Sequence, residues 1–365
     1  MQTRFIAGHL TVAALHLKAE KPSPTASRIR VGIAGLGHWG PNHARTFGRL
    51  ADLAAICDRS PGRLAQVGAL FPGVARYREF EEMLDRARLD AVIIATPTSS
   101  HEGLVAATLR RGLHVLCEKP LALRAADAAR LASDARRRRQ ILMVGHTFLF
   151  NSGIRHLRGL LRAKNLGRIY YLHSKRTHYG LFRPDVSAIW DLASHDVAIF
   201  NYLLDSRPTE VSAVGFDWLR RELHDLGFIT FRYPGGIAAH IHVGWLDPKK
   251  VREITVVGDR RMAVWQDGGS PGPVTLYDRY VVRGRPLVRE FGEFQLLPRE
   301  GDITVPNLPL EEPLLVQARE FLAAISEGSS PLSDGCFAAE VVRALEATDR
   351  SVRLHGAPVR IHSRR

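Results

Sequence analysis

The chain has 365 residues, 45% of them hydrophobic and 24% charged, which suits a soluble globular protein with room for two cores. Lysine and arginine exceed aspartate and glutamate by 14, a balance open to nucleic acid, an anionic surface or a phosphate-bearing small molecule. No zinc-finger or RNA-binding signature accompanies that charge, and no apolar stretch approaches the roughly 20 residues needed to span a bilayer.

The three cysteines, Cys57, Cys117 and Cys336, lie far apart with no CxxC spacing, which points to a reducing, cytoplasmic compartment. Residues 1–28 are expected to form a disordered extension. "FIAGHLTVAALHL" resembles a weak signal-peptide core, but His9 and His16 interrupt it and no small-x-small cleavage site follows. "KAEKPSPTAS" then reads as a flexible linker.

From residue 30, strand-length apolar runs alternate with helical stretches. Strands are expected at 30–35, 53–57, 91–96, 114–118 and 141–145, and helices near 38–50, 61–70, 79–86, 100–111 and 123–139. Strands apolar throughout need a parallel sheet covered on both faces, so residues 29–148 read as a doubly wound α/β domain. The run "RRRR" at 136–139 reads as a solvated helix end, where cations suit the helix dipole.

After residue 150 the grammar changes. A helix is expected over 151–164, then the alternating strand "GRIYYLHSKRT", a helix around Asp191 and His195, and hairpins turning at "PGG" and "GDR". Helices near 312–327 and 335–350 close the chain. Residues 149–365 therefore read as a second, α+β domain with a large, mostly antiparallel open sheet.

Four stretches carry chemistry. "GIAGLGHWG" places Gly35, Gly37 and Gly40 between the first strand and first helix, with Asp58 ending the next strand. Such glycines let the backbone turn tightly against a pyrophosphate at the helix N-terminus, and the acid accepts hydrogen bonds from the ribose. Asp58 favours NAD over NADP; Arg59 beside it leaves NADP open. His38 and Trp39, inside the loop, are counted with the cofactor-binding residues. A strand–helix turn that binds nothing is the bland alternative.

"ATPTSSH" follows the fourth apolar strand, which puts Thr96, Pro97, Thr98 and His101 at the ligand-binding edge of the sheet; a helix start capped by Thr98 or Ser99 is compatible. "CEKPLAL" adds Glu118 to the cofactor set and points Lys119, fixed by Pro120, into the same crevice. The fourth stretch, "IWDLASHD", sets Asp191 and His195 four apart on one helix face. Taken alone, that pair reads better as a helix N-cap and a satisfied core histidine; with Lys119 and the glycine loop in place, the catalytic reading prevails.

Together the glycine loop, Asp58, "ATPTSSH", "EKP" and the Asp-x-x-x-His helix resemble the Gfo/Idh/MocA oxidoreductases, from about residue 30 to 361. "VGHTFLFN", "WLDPKKVREITVVG" and "SDG…VVRALEATDRS" look most like the branch that oxidises the 3-hydroxyl of nucleotide-linked amino sugars with NAD. That branch usually reads "WDLAPHD"; here Ser194 replaces the proline. The resemblance implies a Rossmann domain, a catalytic set of Lys119, Asp191 and His195, and pairing of copies into a homodimer or homotetramer through the open sheet face. His195 is the expected base, Asp191 an orienting group and Lys119 an oxyanion stabiliser, with Lys119 and His195 free to exchange roles.

Lys119, Asp191 and His195 are also counted as substrate-binding, together with His146 of "VGHTFLFN" and Arg183. The segment 175–185 is expected to be a loop that meets a diphosphate or carboxylate through Arg176 or Arg183. His240 and His242 share a sheet face, but no acidic or thiol partner accompanies them and no metal site is expected. The rival readings are a free-sugar or inositol dehydrogenase, an NADPH-dependent sugar ketoreductase, and a dinucleotide-sensing regulator; nucleic-acid binding rests on charge alone.

Overall fold

The computed structural model describes residues 28–180, 182–183, 185–269, 272–283 and 296–362. Apart from Arg28, the expected extension lies outside the described residues. Two sheets organise the rest.

The first contains β1 (Arg30–Ala34), β2 (Asp52–Cys57), β3 (Ala75–Tyr77), β4 (Ala91–Ile94), β5 (His114–Cys117) and β6 (Leu142–Val144). They run parallel in the order β3-β2-β1-β4-β5-β6. Its helices are α1 (Gly40–Leu50), α2 (Pro61–Gly68), α3 (Phe80–Arg86), α4 (His101–Arg110) and α5 (Ala125–Arg137). With helices on both faces, Val31, Ile33, Val92, Ile93 and Val115 are fully buried, which is why these strands read as unbroken apolar runs. The strand order reverses between β1 and β4, and the crevice beyond their carboxyl ends is where such sheets take ligands. The arginines of 136–139 are exposed, and Arg137 pairs with Asp134.

The second region begins with α6 (Ser152–Arg162), β7 (Ile169–Tyr179) and α7 (Ser194–Leu204), the last preceded by one π-helical turn at Ile189–Ala193. The strands β8 (Glu210–Phe216), β9 (Leu226–Tyr233), β10 (Ile237–Gly244), β11 (Leu246–Gly258), β12 (Met262–Gln266), β13 (Val274–Arg283) and β14 (Leu296–Thr304) follow. Then come α8 (Pro313–Glu327), α9 (Gly335–Arg353) and β15 (Val359–Arg360). The nine strands pair as β14-β13-β12-β11-β7-β10-β9-β8-β15, and only β7 and β10 among them run parallel.

Alternation decides the two faces of this sheet. In β9, Ile229, Phe231 and Tyr233 are buried while Thr230 and Arg232 are exposed. On the open face His173 stacks on His240, and Phe228 lies against His242. The bland reading of the His240/His242 pair fits this packing. Among the described residues no cluster of three or more His, Cys, Asp or Glu could hold a metal ion. None of their helices is long and apolar enough to cross a membrane.

Two local expectations need correction. The expected strand "GRIYYLHSKRT" runs on to Tyr179, so residues 175–179, also counted in the loop over 175–185, belong to β7; Lys175, Arg176, Thr177 and Tyr179 find ladder partners in β10 or β11. α4 starts at His101 after a short 3-10 turn over Thr98–Ser100, with no side-chain cap from Thr98 or Ser99. The final helices also cross back to the first sheet. Val144 N–H donates to the Ser333 carbonyl at 2.8 Å, and Thr147 Oγ1 meets Gln317 Oε1 at 2.8 Å.

Candidate active site

The glycine loop is shaped by close approach. Gly35 has φ +89°, and a Cβ there would stand 2.6 Å from the Ala95 carbonyl oxygen. A Cβ on Gly40 would stand 2.0 Å from the Gly35 carbonyl oxygen, so only glycine lets α1 begin so close to the loop. Trp39 gives α1 no side-chain cap, which leaves its first N–H groups for an anion. Gly37 is open apart from the distant Arg63 guanidinium, Trp39 is exposed, and His38 lies edge-on to it at 5.7 Å.

Asp58 does two jobs. Its Oδ2 accepts the Leu36 N–H at 2.7 Å and its Oδ1 accepts the Ser60 N–H at 2.8 Å, so the acid fixes the loop. A carboxylate has about four acceptor positions, which leaves capacity for ribose hydroxyls. Arg59 is exposed, whereas Arg63 reaches to 3.7 Å of Asp58 and belongs to the site although the sequence reading passed it over. These residues fit a dinucleotide. Asp58→Ala should weaken NAD binding by about 10- to 100-fold, the worth of charged hydrogen bonds. Fluorescence titration checks this, and affinity within twofold of the parent would contradict it.

Thr96 and Pro97 sit at the crevice edge, with Thr96 Oγ1 2.7 Å from Ser100 Oγ. Thr98 is buried. His101 departs from its expected role as a cofactor contact. Its ring is 1% exposed, with Nδ1 2.8 Å from the Pro120 carbonyl and Nε2 2.9 Å from the Thr96 carbonyl. It braces the two ligand-facing loops from below, and burial holds its pKa down. Glu118 is buried and bonded to His43 Nε2 at 2.9 Å. Burial opposes its charge, but His43 and Lys119 outweigh that and hold its carboxyl below the usual range.

Across the crevice, Lys119 Nζ donates to the Asp191 carbonyl at 2.7 Å and to Asp191 Oδ1 at 2.9 Å. This ion pair joins the end of β5 to the π turn before α7. Arg183 Nη1 lies 3.3 Å from Asp191 Oδ1, but its fork is taken by Asp185 at 2.7 and 3.0 Å. Burial works against the Asp191 charge, yet Lys119 and Arg183 prevail and hold its carboxyl below the usual range.

His195 is half-buried in the first turn of α7, with Phe148 edge-on at 5.0 Å. Burial, then Lys119 and Arg176, hold its pKa well below that of a free histidine, so its ring is neutral. His146 is 2% exposed, and burial followed by Lys119 drives its pKa down to about 3. Among the described residues Nδ1 of both rings lacks a hydrogen-bond partner.

The structure thus brings Lys119, Asp191, His195, His146 and Arg183 together. Arg176, the other expected diphosphate contact, is 3% exposed and forms a bidentate pair with Asp196 at 2.9 Å in both bonds. Its guanidinium stands 4.4 Å from the Phe148 ring centre. It belongs to the layer under His195, and nothing in the spacing of the sequence marks that.

Acid should destabilise this fold in a defined window. Below about pH 6.5 the unfolded chain protonates His101, His146 and His195 while the folded chain resists, so unfolding gains as pH falls. For His146 alone the penalty reaches about 2 kcal/mol near pH 5. Asp191 and Glu118 shift the other way, and the stability they add is lost only below about pH 4. The melting temperature should therefore drop between neutrality and about pH 5, and a flat profile there would contradict this account.

Known proteins share this architecture. Residues 29–146 match the family described as "Oxidoreductase family, NAD-binding Rossmann fold", and residues 154–264 match "GFO/IDH/MocA C-terminal domain". A UDP-N-acetylglucosamine 3-dehydrogenase of Acidithiobacillus ferrooxidans is 33% identical over 195 residues, 51% of this chain and 58% of that enzyme. The chain thus spans less than two thirds of that relative's length. An inositol 2-dehydrogenase of Streptomyces avermitilis is 28% identical over 304 residues, 76% of this chain and 87% of that enzyme. The WlbA dehydrogenase of Bordetella pertussis, solved with NADH and UDP-GlcNAcA, superposes with a TM-score of 0.75 at 21% identity, covering 92% of this chain and all of that one.

Proposed function

Because this chain belongs to the Gfo/Idh/MocA oxidoreductases, we propose that it moves hydride between NAD and a secondary hydroxyl of a sugar, the 3-hydroxyl of a nucleotide-linked amino sugar. The observation that carries this reading is the Lys119–Asp191 ion pair, which closes the crevice at the carboxyl edge of the Rossmann sheet. The relative that acts on UDP-N-acetylglucosamine supports the choice of sugar.

The glycine loop, the uncapped start of α1 and Asp58 would hold the dinucleotide, with Thr96, Pro97 and Glu118 lining the path to Lys119. When bound, NAD supplies the hydride acceptor. His195 is neutral and its Nδ1 faces the protein interior, so Nε2 is the nitrogen that takes the hydroxyl proton. Lys119, charged and aimed by both acceptors of Asp191, stabilises negative charge on the substrate oxygen. Arg183 is half neutralised by Asp185 and serves more to fix Asp191 than to bind a free phosphate.

The test is formation of reduced nicotinamide with UDP-N-acetylglucosamine, a UDP-N-acetylamino uronic acid, myo-inositol and glucose, each offered with NAD and with NADP. Turnover favouring a UDP-sugar with NAD supports the proposal. Turnover confined to myo-inositol or glucose would move the enzyme to the free-polyol reading, which the longer match to an inositol dehydrogenase keeps in view.

A further inference from the structure

The closing motif "EATDRS" has no part in the site described so far, yet it reaches it. Asp349 lies in the last turns of α9, and its Oδ2 accepts the indole N–H of Trp190 at 2.6 Å. Trp190 is 7% exposed and directly precedes Asp191 within the π turn. A π turn is an uncommon, widened piece of helix that recurs at functional sites. Here it turns the Asp191 carbonyl towards side chains, where it accepts from Lys119 Nζ at 2.7 Å and from Ser194 Oγ at 3.0 Å. Lys119 is thereby held by backbone and carboxylate of one residue, an arrangement that exists only while the turn keeps its shape.

Within the turn, Asp191 itself reaches Lys119 and Arg183, and the Trp190 indole reaches a further ionisable partner, Asp349. The Trp190 backbone N–H donates only weakly, to Ser187 Oγ at 3.4 Å. Burial raises the pKa of the half-buried Asp349 carboxyl, and the Trp190 bond and Arg353 partly offset that; a partly desolvated carboxyl gains from such a donor. We infer that the Trp190–Asp349 bond is a positioning device that locks the π turn, so that both acceptors of Asp191 aim the Lys119 ammonium at the substrate oxygen. Asp349 touches no reacting atom and acts through Trp190. The inference rests on the catalytic role proposed for Lys119, but its geometry can be tested apart from turnover.

The experiment compares the parent with Trp190→Phe, Asp349→Leu and Asp349→Asn, all in the full chain. Lys119 acylation by trace acetic anhydride is read by peptide mass spectrometry, with the partly exposed Lys175 as internal control. The Lys119 side chain is 8% exposed, and loosening the turn should raise its labelling several-fold in Trp190→Phe and Asp349→Leu while Lys175 is unchanged. With NAD and UDP-N-acetylglucosamine, kcat should fall about 10- to 100-fold, the effect of a small misplacement, with KM for NAD held within twofold. Asp349→Asn keeps an acceptor oxygen and should stay near the parent in both readouts. Unchanged Lys119 labelling in Trp190→Phe would overturn the inference, as would labelling of Lys119 and Lys175 that rises together. Should the parent be silent with every UDP-sugar while Lys119 labelling still responds, the device stands and the substrate reading fails.

Discussion

Lys119→Ala should lower kcat roughly 100- to 1,000-fold, the usual loss when an oriented electrostatic partner of the transition state is removed. Lys119 presents a buried ammonium with two fixed acceptors, the carbonyl and Oδ1 of Asp191. It therefore needs little reorganisation when charge develops on the substrate oxygen. Truncation removes that charge and leaves Asp191 with Arg183 alone, itself committed to Asp185. NAD affinity should stay near that of the parent, because Asp58 and the glycine loop lie at the other end of the cofactor's path. Lys119→Arg should recover little, since a planar fork does not reproduce a point charge shared by a carbonyl and a carboxylate. Steady-state kinetics decide it, and a kcat within threefold of the parent for Lys119→Ala would remove Lys119 from the mechanism.

Arg176→Met should destabilise the protein by about 3–5 kcal/mol, the range for removing one partner of a buried ion pair. Asp196 is 1% exposed and both its oxygens face Arg176; without the guanidinium its charge is stranded. The loss should exceed that of removing an exposed pair such as Arg86–Glu82, which is worth about 0–1 kcal/mol. Pairing Arg176→Met with Asp196→Leu should restore much of the stability, because no buried charge is then left alone. Urea denaturation reads both variants. A single-variant loss below about 1 kcal/mol would contradict a buried structural role and return Arg176 to the set of substrate-facing cations.

The contrast between Lys119 and Arg176 shows what local pattern carries. Lys119 was legible because it follows a strand whose neighbours are all apolar, and the edge of such a sheet is a known place for ligands. Arg176 fell both at the end of the expected strand "GRIYYLHSKRT" and in the segment 175–185 read as a loop over the crevice, and it is buried because Asp196, twenty residues on, neutralises it inside the core. β3 escaped notice because it is three residues long and none of them is fully buried. His101 was placed at the right edge of the sheet, but its ring turns inward to two carbonyls, a choice made by tertiary contacts. Asp191 and His195 were found by helical spacing, yet the π turn that presents Asp191 depends on Asp349, which lies 159 residues away in the chain from Trp190. Periodicity reports burial along one element; it holds no record of a partner brought in from another.

The measurement that tests the central claim most directly uses UDP-N-acetylglucosamine carrying deuterium at C3, incubated with the parent protein and NAD. The account predicts that deuterium appears in the reduced nicotinamide, that turnover slows relative to the unlabelled sugar, and that Lys119→Ala suppresses the transfer. Reduced cofactor free of deuterium, or no reduction with this sugar while a free polyol is oxidised, would contradict transfer from the 3-position of a nucleotide-linked amino sugar.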